Sequence, residues 1–232
     1  MHFHDTGGNG IPVVLLHAAT GHSGMWLQQL PAFTHAGYRC IAFDRLPEGH
    51  ASDQLDELVT KLALERFHIV GTAAGASVAV DYSLSHIQRV RSLVLANTIM
   101  GVQDADYLEL SRRLRPSPQF GAMPADFREL GPSYRAANAE GTHRWNALAQ
   151  EKPHVAYTMR NRITYAALET IQAPTLLLTG DADLYMPPPV LRLFSRRLPR
   201  CESVVLPECG HSAYWEQPEL FNQAVVRFLR KH

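Results

Sequence analysis

The sequence predicts an α/β fold in which a mostly parallel, twisted sheet is flanked by helices and interrupted by an inserted helical segment. Short apolar runs typical of buried strands alternate with longer segments whose apolar residues recur every three to four positions. One long stretch contains only the helical kind of pattern. The 232 residues are also enough for a single large α/β unit.

The strands and the clearest helices can be located from these patterns. Apolar runs typical of strands buried on both faces cover residues 13–16, 40–43, 68–70, 93–96, 175–178 and 203–206. Helical spacing is clear in residues 53–64, where Leu55, Leu58 and Leu62 fall on one side, and in residues 218–229. Because the two kinds of segment alternate, we expect parallel strands connected by helices that cover both faces of the sheet.

Residues 101–170 break the alternation, because no strand-like run occurs there. Helical patches at residues 104–114, 124–130 and 142–150 follow one another among prolines and glycines. An insertion between two strands lies at strand ends, where open α/β sheets bind ligands. We therefore predict a core formed by residues 1–100 and 171–232 and a helical lid formed by residues 101–170. The alternative is a small helical domain with no part in catalysis.

Composition and charge exclude several classes of function. Lys and Arg together number 22, as do Asp and Glu, and the basic residues are scattered, so no nucleic-acid surface is indicated. No apolar stretch approaches the roughly 18 residues of a membrane span, and the amino end lacks the pattern of a signal peptide. We expect a cytoplasmic protein whose partner is a small molecule. The sequence does not indicate the oligomeric state.

Neither a metal nor another cofactor is predicted. The cysteines Cys40, Cys201 and Cys209 are too far apart for a zinc cluster and are odd in number, so they indicate reduced thiols. The histidines include no HExxH spacing.

A small-residue turn, IVGTAAGAS at residues 69–77, follows a predicted strand and begins a helix. This is the setting of a G-x-S-x-G nucleophile elbow, in which a strained turn lifts the central side chain above the sheet. Gly71 and Gly75 occupy the glycine positions, which places Ala73 at the centre, without a hydroxyl or thiol. The alternative is a plain helix start that packs closely on a neighbour or binds an anion at its N-terminus.

Three further segments complete a pattern. IPVVLLHAATG (11–21) is a strand that ends in His17, Ala18 and Ala19; APTLLLTGDADLYMPP (173–188) is a strand followed by an acidic loop; LPECGHSAYWEQPELF (206–221) places a histidine before the last helix. The order of elbow, acid and histidine is that of the α/β-hydrolase superfamily. From Val13 to Leu229 the chain resembles its lidded esterases and C–C bond hydrolases, with one segment altered and shortened at residues 44–52.

The resemblance implies a role for each segment. Asp183, three residues after a glycine, is the acid of the triad and His211 is its base, while Ala73 stands at the nucleophile position. The backbone N–H groups of Ala19 and Ala74 form an oxyanion hole. The alternatives are that Asp183 is a turn aspartate and His211 an ordinary surface histidine.

Alanine at position 73 leaves three explanations. Loss of the nucleophile from such a triad costs on the order of a million-fold in turnover, so a normal esterase rate is excluded. The chain is an inactivated hydrolase, or a native enzyme in which His211 and Asp183 act as a general base without a serine, or a ligand-binding protein without turnover. Nearby hydroxyls such as those of Thr20 and Ser77 are not expected to replace the nucleophile. The altered neighbours Ala18 and Ala76 favour native alanine.

The walls of the pocket are predicted from aromatic residues. Candidate substrate-binding residues are Trp26, Tyr185 and Trp215 from the core and Tyr107 and Trp145 from the lid, with Tyr157 also considered. Such a set suits an apolar or aromatic substrate. The alternative, at equal weight, is that these aromatic side chains belong to the hydrophobic core. Candidate carboxylate ligands are Arg135, Arg160 and Arg162.

Overall fold

A seven-stranded sheet organises the chain in the computed structural model, which describes residues 2–152 and 157–232. The strands are β1 (Phe3–Asp5), β2 (Pro12–Leu16), β3 (Arg39–Phe43), β4 (Phe67–Thr72), β5 (Val90–Ala96), β6 (Thr175–Gly180) and β7 (Cys201–Leu206). Their order across the sheet is β1-β3-β2-β4-β5-β6-β7. Only β1 is antiparallel to its neighbour, and the other pairs are parallel. The predicted fold class is confirmed, and every predicted strand lies within one of these strands.

The helices flank the sheet. They are α1 (Gln29–His35), α2 (Ala51–Lys61), α3 (Ala74–Ser85), α4 (Ala105–Arg113), α5 (Ala125–Glu129), α6 (Pro132–Ala137), α7 (Ala139–Glu151), α8 (Tyr165–Glu169), α9 (Pro188–Ser195), α10 (Ala213–Glu216) and α11 (Pro218–Leu229). The helix predicted at 53–64 begins two residues earlier and ends at Lys61, because Ala63 adopts a left-handed conformation with φ of 53°. Within the described ranges, none of the helices is long and apolar enough to cross a membrane.

Two hydrophobic cores lie on opposite faces of the sheet. Alternate residues of β2 show how one strand contributes to both: Val14 and Leu16 pack into the core beneath α2, α3 and α9, whereas Val13 and Leu15 pack into the core beneath α1 and α11. This alternation follows from the two-residue period of a strand, and burial on both faces explains the continuous apolar runs in the sequence.

The parallel strands end at one edge of the sheet. Leu16 of β2 is paired with Gly71 of β4, and Ala96 of β5 is paired with both Thr72 of β4 and Leu178 of β6. The loops that follow these strands therefore meet at the carboxyl edge, where ligands of such sheets bind.

Residues 101–170 lie between β5 and β6 and contribute α4 to α8, with no β-strand among the described residues of this segment. The three predicted helical patches overlap α4, α5 and α7. The segment is fastened to the core where it returns to the sheet: both carboxylate oxygens of Asp53 accept from Arg160 at 2.8 Å, and Asp81 accepts from the backbone N–H of Arg160 at 3.0 Å and that of Asn161 at 2.8 Å.

Candidate active site

The turn between β4 and α3 has the strained geometry of an elbow. Its central residue, Ala73, has φ of 48° and ψ of −115°, a conformation that L-residues rarely adopt and that costs about 1–3 kcal/mol. The flanking glycines allow the backbones to approach. A Cβ atom on Gly71 would lie 2.6 Å from the backbone nitrogen of Ala76, and one on Gly75 would overlap the carbonyl group of Leu16. The start of α3 therefore packs directly against the end of β2.

A cavity of about 360 Å³ opens above this turn. Its lining comes from the loops at the carboxyl edge of the sheet and from residues 101–170: Ala19, Thr20, Ala73, Ala74, Ser77, Asn97, Ile99, Arg128, Glu129, Tyr157, Tyr185 and His211. A volume of this size accommodates a small organic molecule. The residues predicted for the nucleophile position, the base and the oxyanion hole all face this one space.

His211 and Asp183 form a buried pair. The ring Nδ1 of His211 lies 2.9 Å from each carboxylate oxygen of Asp183, and the two side chains are 7% and 0% exposed. Burial alone would lower the pKa of His211, but the carboxylate of Asp183, and then that of Glu129, outweigh it and raise that pKa. The imidazole is thus oriented by one carboxylate and leaves Nε2 for chemistry.

The carboxylate of Asp183 is held ionised by several donors. Burial would raise its pKa, but the His211 ring and hydrogen bonds from its neighbours lower it below the ordinary value. The side chains of Asn97 and Thr179 each donate to one oxygen at 3.0 Å, and the backbone N–H groups of Tyr185 and Met186 donate to the other at 2.8 and 2.9 Å. Such a set fixes the position of the carboxylate as well as its charge.

The two predicted oxyanion-hole residues border the cavity from different elements. Ala19 lies in the loop after β2, and Ala74 is the first residue of α3. The backbone N–H groups in the first turn of a helix have no partner within the helix and carry the positive end of its dipole. The site can therefore stabilise negative charge that develops on an oxygen above Ala73.

Two charged side chains from α5 also face the cavity, and the motifs did not indicate them. Glu129 is 6% exposed, and the hydroxyl of Thr20 lies 2.7 Å from each of its carboxylate oxygens. Its backbone carbonyl accepts from the N–H of His211 at 2.9 Å. Burial raises the pKa of Glu129, opposed by His211 and Thr20. Arg128 donates to the Tyr185 hydroxyl at 2.8 Å. The sequence carries no signal for Glu129, because its burial and its contact with Thr20 exist only in the folded chain.

The structure corrects most of the predicted aromatic wall. Tyr185 lines the cavity and packs against the His211 ring, with ring centroids 4.5 Å apart. The other four predicted side chains lie in the hydrophobic cores, away from the cavity: Trp26, Tyr107, Trp145 and Trp215 are each at most 5% exposed. Large apolar side chains bury more area against neighbouring elements than along a cavity wall, which is why the core alternative applies to them.

The structure also places the hydroxyl groups and the arginines that the sequence analysis considered. The hydroxyls of Thr20 and Ser77 do border the cavity, although Thr20 is bonded to Glu129 and Ser77 lies 3.4 Å from Thr98. The arginines considered as carboxylate ligands are absent from the cavity lining among the described residues; Arg160, for example, pairs with Asp53 on the surface. The arginine that lines the cavity is instead Arg128.

Comparisons with known proteins identify similar sequences among hydrolases. A family model described as "Alpha/beta hydrolase family" matches residues 13–224. A 2-hydroxy-6-oxononadienedioate/2-hydroxy-6-oxononatrienedioate hydrolase of Paraburkholderia phymatum is 28% identical over 99% of this chain and 90% of its own length. A pimeloyl-[acyl-carrier protein] methyl ester esterase of Nitrosomonas europaea is 25% identical over 94% of this chain and 95% of its own.

Solved structures of hydrolases are also similar to this chain. A thermophilic esterase of Thermogutta terrifontis, determined with malate bound, superposes with a TM-score of 0.84 at 27% identity and covers 99% of this chain and 93% of that one. An enol-lactonase of Burkholderia xenovorans superposes with a TM-score of 0.82 at 19% identity over 99% of this chain and 96% of that one, a likeness of fold alone.

Proposed function

This chain belongs to the alpha/beta hydrolase family, and from that premise we propose that it hydrolyses an ester, thioester or activated C–C bond of a small molecule without a serine nucleophile. In this proposal His211 and Asp183 activate a water molecule, and Ala73 leaves room for it above the elbow. The observation that carries the proposal is the His211–Asp183 pair, because its buried carboxylate keeps five polar contacts although the usual nucleophile is missing.

The proposed reaction has two steps. Nε2 of His211 takes a proton from water while the water oxygen bonds to the substrate carbonyl carbon, and the carbonyl electron pair moves onto its oxygen. The N–H groups of Ala19 and Ala74 hold this oxyanion. The intermediate then breaks its bond to the leaving group, which takes the proton back from His211. Asp183 keeps the ring oriented and stabilises its positive charge during both steps.

Residues 101–170 act in this proposal as the lid of the site. Support comes from Arg128, Glu129 and Tyr157, which border the cavity together with the core residues. The substrate is expected to be small and largely apolar, with aromatic contacts to Tyr157 and Tyr185. An acidic group on it would meet Arg128, and the dioate named for the Paraburkholderia relative is one such chemistry.

Hydrolysis of p-nitrophenyl esters by the unaltered chain tests the proposal. We expect a slow rate that exceeds the roughly 10³–10⁴ over buffer left in triad enzymes without their catalytic groups, since that remainder comes from the oxyanion hole and binding alone. His211→Ala should lower the rate to this remainder, because the water then has no base. His143→Ala, at an exposed histidine of α7, is the matched control. A rate that His211→Ala leaves unchanged would remove this histidine from the mechanism.

A second candidate function is ligand binding without turnover, and the observation that favours it is Ala73 itself. It requires a ligand that binds saturably, equally well to the His211→Ala variant, and without any product after long incubation.

A further inference from the structure

A buried guanidinium stands behind the predicted oxyanion loop. Arg45 follows β3 and is 4% exposed. Its Nη1 donates to the backbone carbonyl of His17, and its Nη2 donates to that of Ala18 at 3.0 Å. Within residues 2–152 and 157–232 no carboxylate lies within ion-pair distance of this side chain. Burial lowers the pKa of Arg45 to about 10, so the group still carries its charge at neutral pH.

The neighbouring imidazole completes the arrangement. Nδ1 of His17 lies 2.7 Å from the carbonyl oxygen of Ala18, and its Nε2 lies 3.4 Å from the backbone N–H of Arg45. Burial, reinforced by the Arg45 charge, lowers the pKa of His17 to about 3, which keeps the ring neutral. A neutral ring with its proton on Nδ1 donates to Ala18 and accepts at Nε2, so both contacts are satisfied by one tautomer.

These donors fix the direction of one peptide group. The carbonyl of Ala18 and the N–H of Ala19 belong to the same planar trans peptide, and in such a peptide they point in opposite directions. Two donors, from Arg45 and His17, draw the Ala18 oxygen towards the protein interior. The Ala19 N–H is therefore directed the other way, and Ala19 is the residue that borders the cavity.

Charge adds to orientation. A hydrogen bond from a cation to the carbonyl polarises the peptide and strengthens its N–H as a donor. Arg45 itself is absent from the lining of the cavity among the described residues, and it contacts two groups that do border it: this peptide, and the ring of Tyr157, whose centroid lies 5.8 Å from the guanidinium carbon.

We propose that Arg45 is a positioning residue of the oxyanion hole, which aims and polarises the Ala18–Ala19 peptide at an oxyanion bound above Ala73. This rests on the proposed function, since it assumes that Ala19 and Ala74 receive the same oxygen. It assigns a chemical task to the altered 44–52 segment.

The first test observes the two amides directly. In ¹⁵N-alanine-labelled protein titrated with benzoate, we expect the Ala19 and Ala74 amide signals to shift with a single dissociation constant. Arg45→Met should abolish the Ala19 shift, retain the Ala74 shift and weaken benzoate binding about ten- to a hundredfold, the range for a lost hydrogen bond to a charged group. Arg45→Lys should restore part of the Ala19 shift. Arg89→Met, which removes another guanidinium bonded to a backbone carbonyl, that of Leu64, is the matched control.

The second test is kinetic and uses the Ala73→Ser background. There Arg45→Met should lower kcat for p-nitrophenyl esters about tenfold or more and change KM little, because the oxyanion contact strengthens in the transition state. The kcat is expressed per folded molecule, with the folded fraction measured by circular dichroism, so that a loss of folding is not counted as a loss of kcat. If Arg45→Met changes neither the Ala19 shift nor kcat, the inference about Arg45 is overturned, while the proposed function still stands. If benzoate shifts neither amide in the unaltered chain, the proposed oxyanion hole fails, and this inference fails with it.

Discussion

The cavity has a floor and a roof that are built by different means. The floor is formed by Ala19, Ala73, Ala74 and His211, and the roof by Arg128 and Glu129. The three alanine positions of the floor are set by the main chain, through the positive φ of the elbow and the close approach of α3 to β2. Roof positions depend on side-chain hydrogen bonds, from Arg128 to Tyr185 and to the Met123 carbonyl and between Glu129 and Thr20. Main-chain requirements leave a pattern in the sequence, whereas side-chain contacts between distant residues leave none.

The largest expected effect comes from completing the floor. Ala73→Ser places a hydroxyl on an elbow that is already strained, next to an oriented imidazole. Since removal of the nucleophile from a triad costs on the order of a million-fold, we expect p-nitrophenyl ester hydrolysis to rise by about 10³ or more. A second change, His211→Ala in the same background, should remove the gain. A folded Ala73→Ser protein without any gain would show that the floor is not a hydrolytic site.

The next largest effect is expected from Asp183, the acid that contacts His211. In the Ala73→Ser background, Asp183→Asn should lower kcat about 10³–10⁴-fold, because an amide no longer fixes the tautomer of His211 or stabilises its charge. Steady-state kinetics with the same ester measure this. Asp181→Asn is the control, since Asp181 is exposed beside the site. An equal loss in both variants would show that Asp183 is not the acid that orients His211.

Trp145, in the inserted segment 101–170, tests whether a predicted wall residue belongs to the hydrophobic core. Trp145 is fully buried in the core that also holds Trp26 and Tyr214. Trp145→Ala should therefore lower the free energy of unfolding by about 3–5 kcal/mol, as measured by urea denaturation. Trp145→Phe should cost less, because it retains most of the volume. Unchanged stability combined with weaker ligand binding would return this residue to the cavity wall.

Substitution of two glycines compares the packing of the floor with that of the inserted segment 101–170. In Gly75→Ala the new methyl group meets the backbone of Leu16 and His17, which is expected to cost about 1–3 kcal/mol or more of unfolding free energy. In Gly121→Ala the methyl group meets nothing within 4 Å, so stability should change by less than about 0.5 kcal/mol. Thermal or urea unfolding checks both, and similar effects would mean that α3 does not need its close contact with β2.

The smallest effect is expected from the roof. Glu129 contributes to the raised pKa of His211, so Glu129→Gln should lower that pKa. The base must be neutral to accept a proton, and activity therefore rises as pH increases through this pKa. In the Ala73→Ser background, the acid side of the pH–rate profile should move to lower pH, by about one unit or less. A profile that does not move would mean that the Glu129 carboxyl does not influence the imidazole.

The sheet and the floor could be predicted from the sequence because both depend on local requirements of the main chain. Runs such as Val13 to Leu16 are shorter than most helices and are bounded by turn residues, which is typical of buried strands, and the spacing of Gly71 and Gly75 around Ala73 reflects a steric requirement of the turn. The aromatic wall was predicted poorly, since helical spacing places Trp145 on an apolar face but does not say whether the core or a ligand fills the space beside it. Glu129 could not be inferred, because its partner Thr20 is 109 residues away.

The strain at Ala73 also has an evolutionary consequence. The unfavourable φ is a property of the turn, and alanine and serine bear nearly the same backbone cost in it. The lineage could therefore exchange one for the other at this position without a loss of folding stability that selection would have to compensate elsewhere. Under the proposed function, residue 73 is thus a position where a single substitution changes activity with little effect on folding, while the surrounding site stays in place.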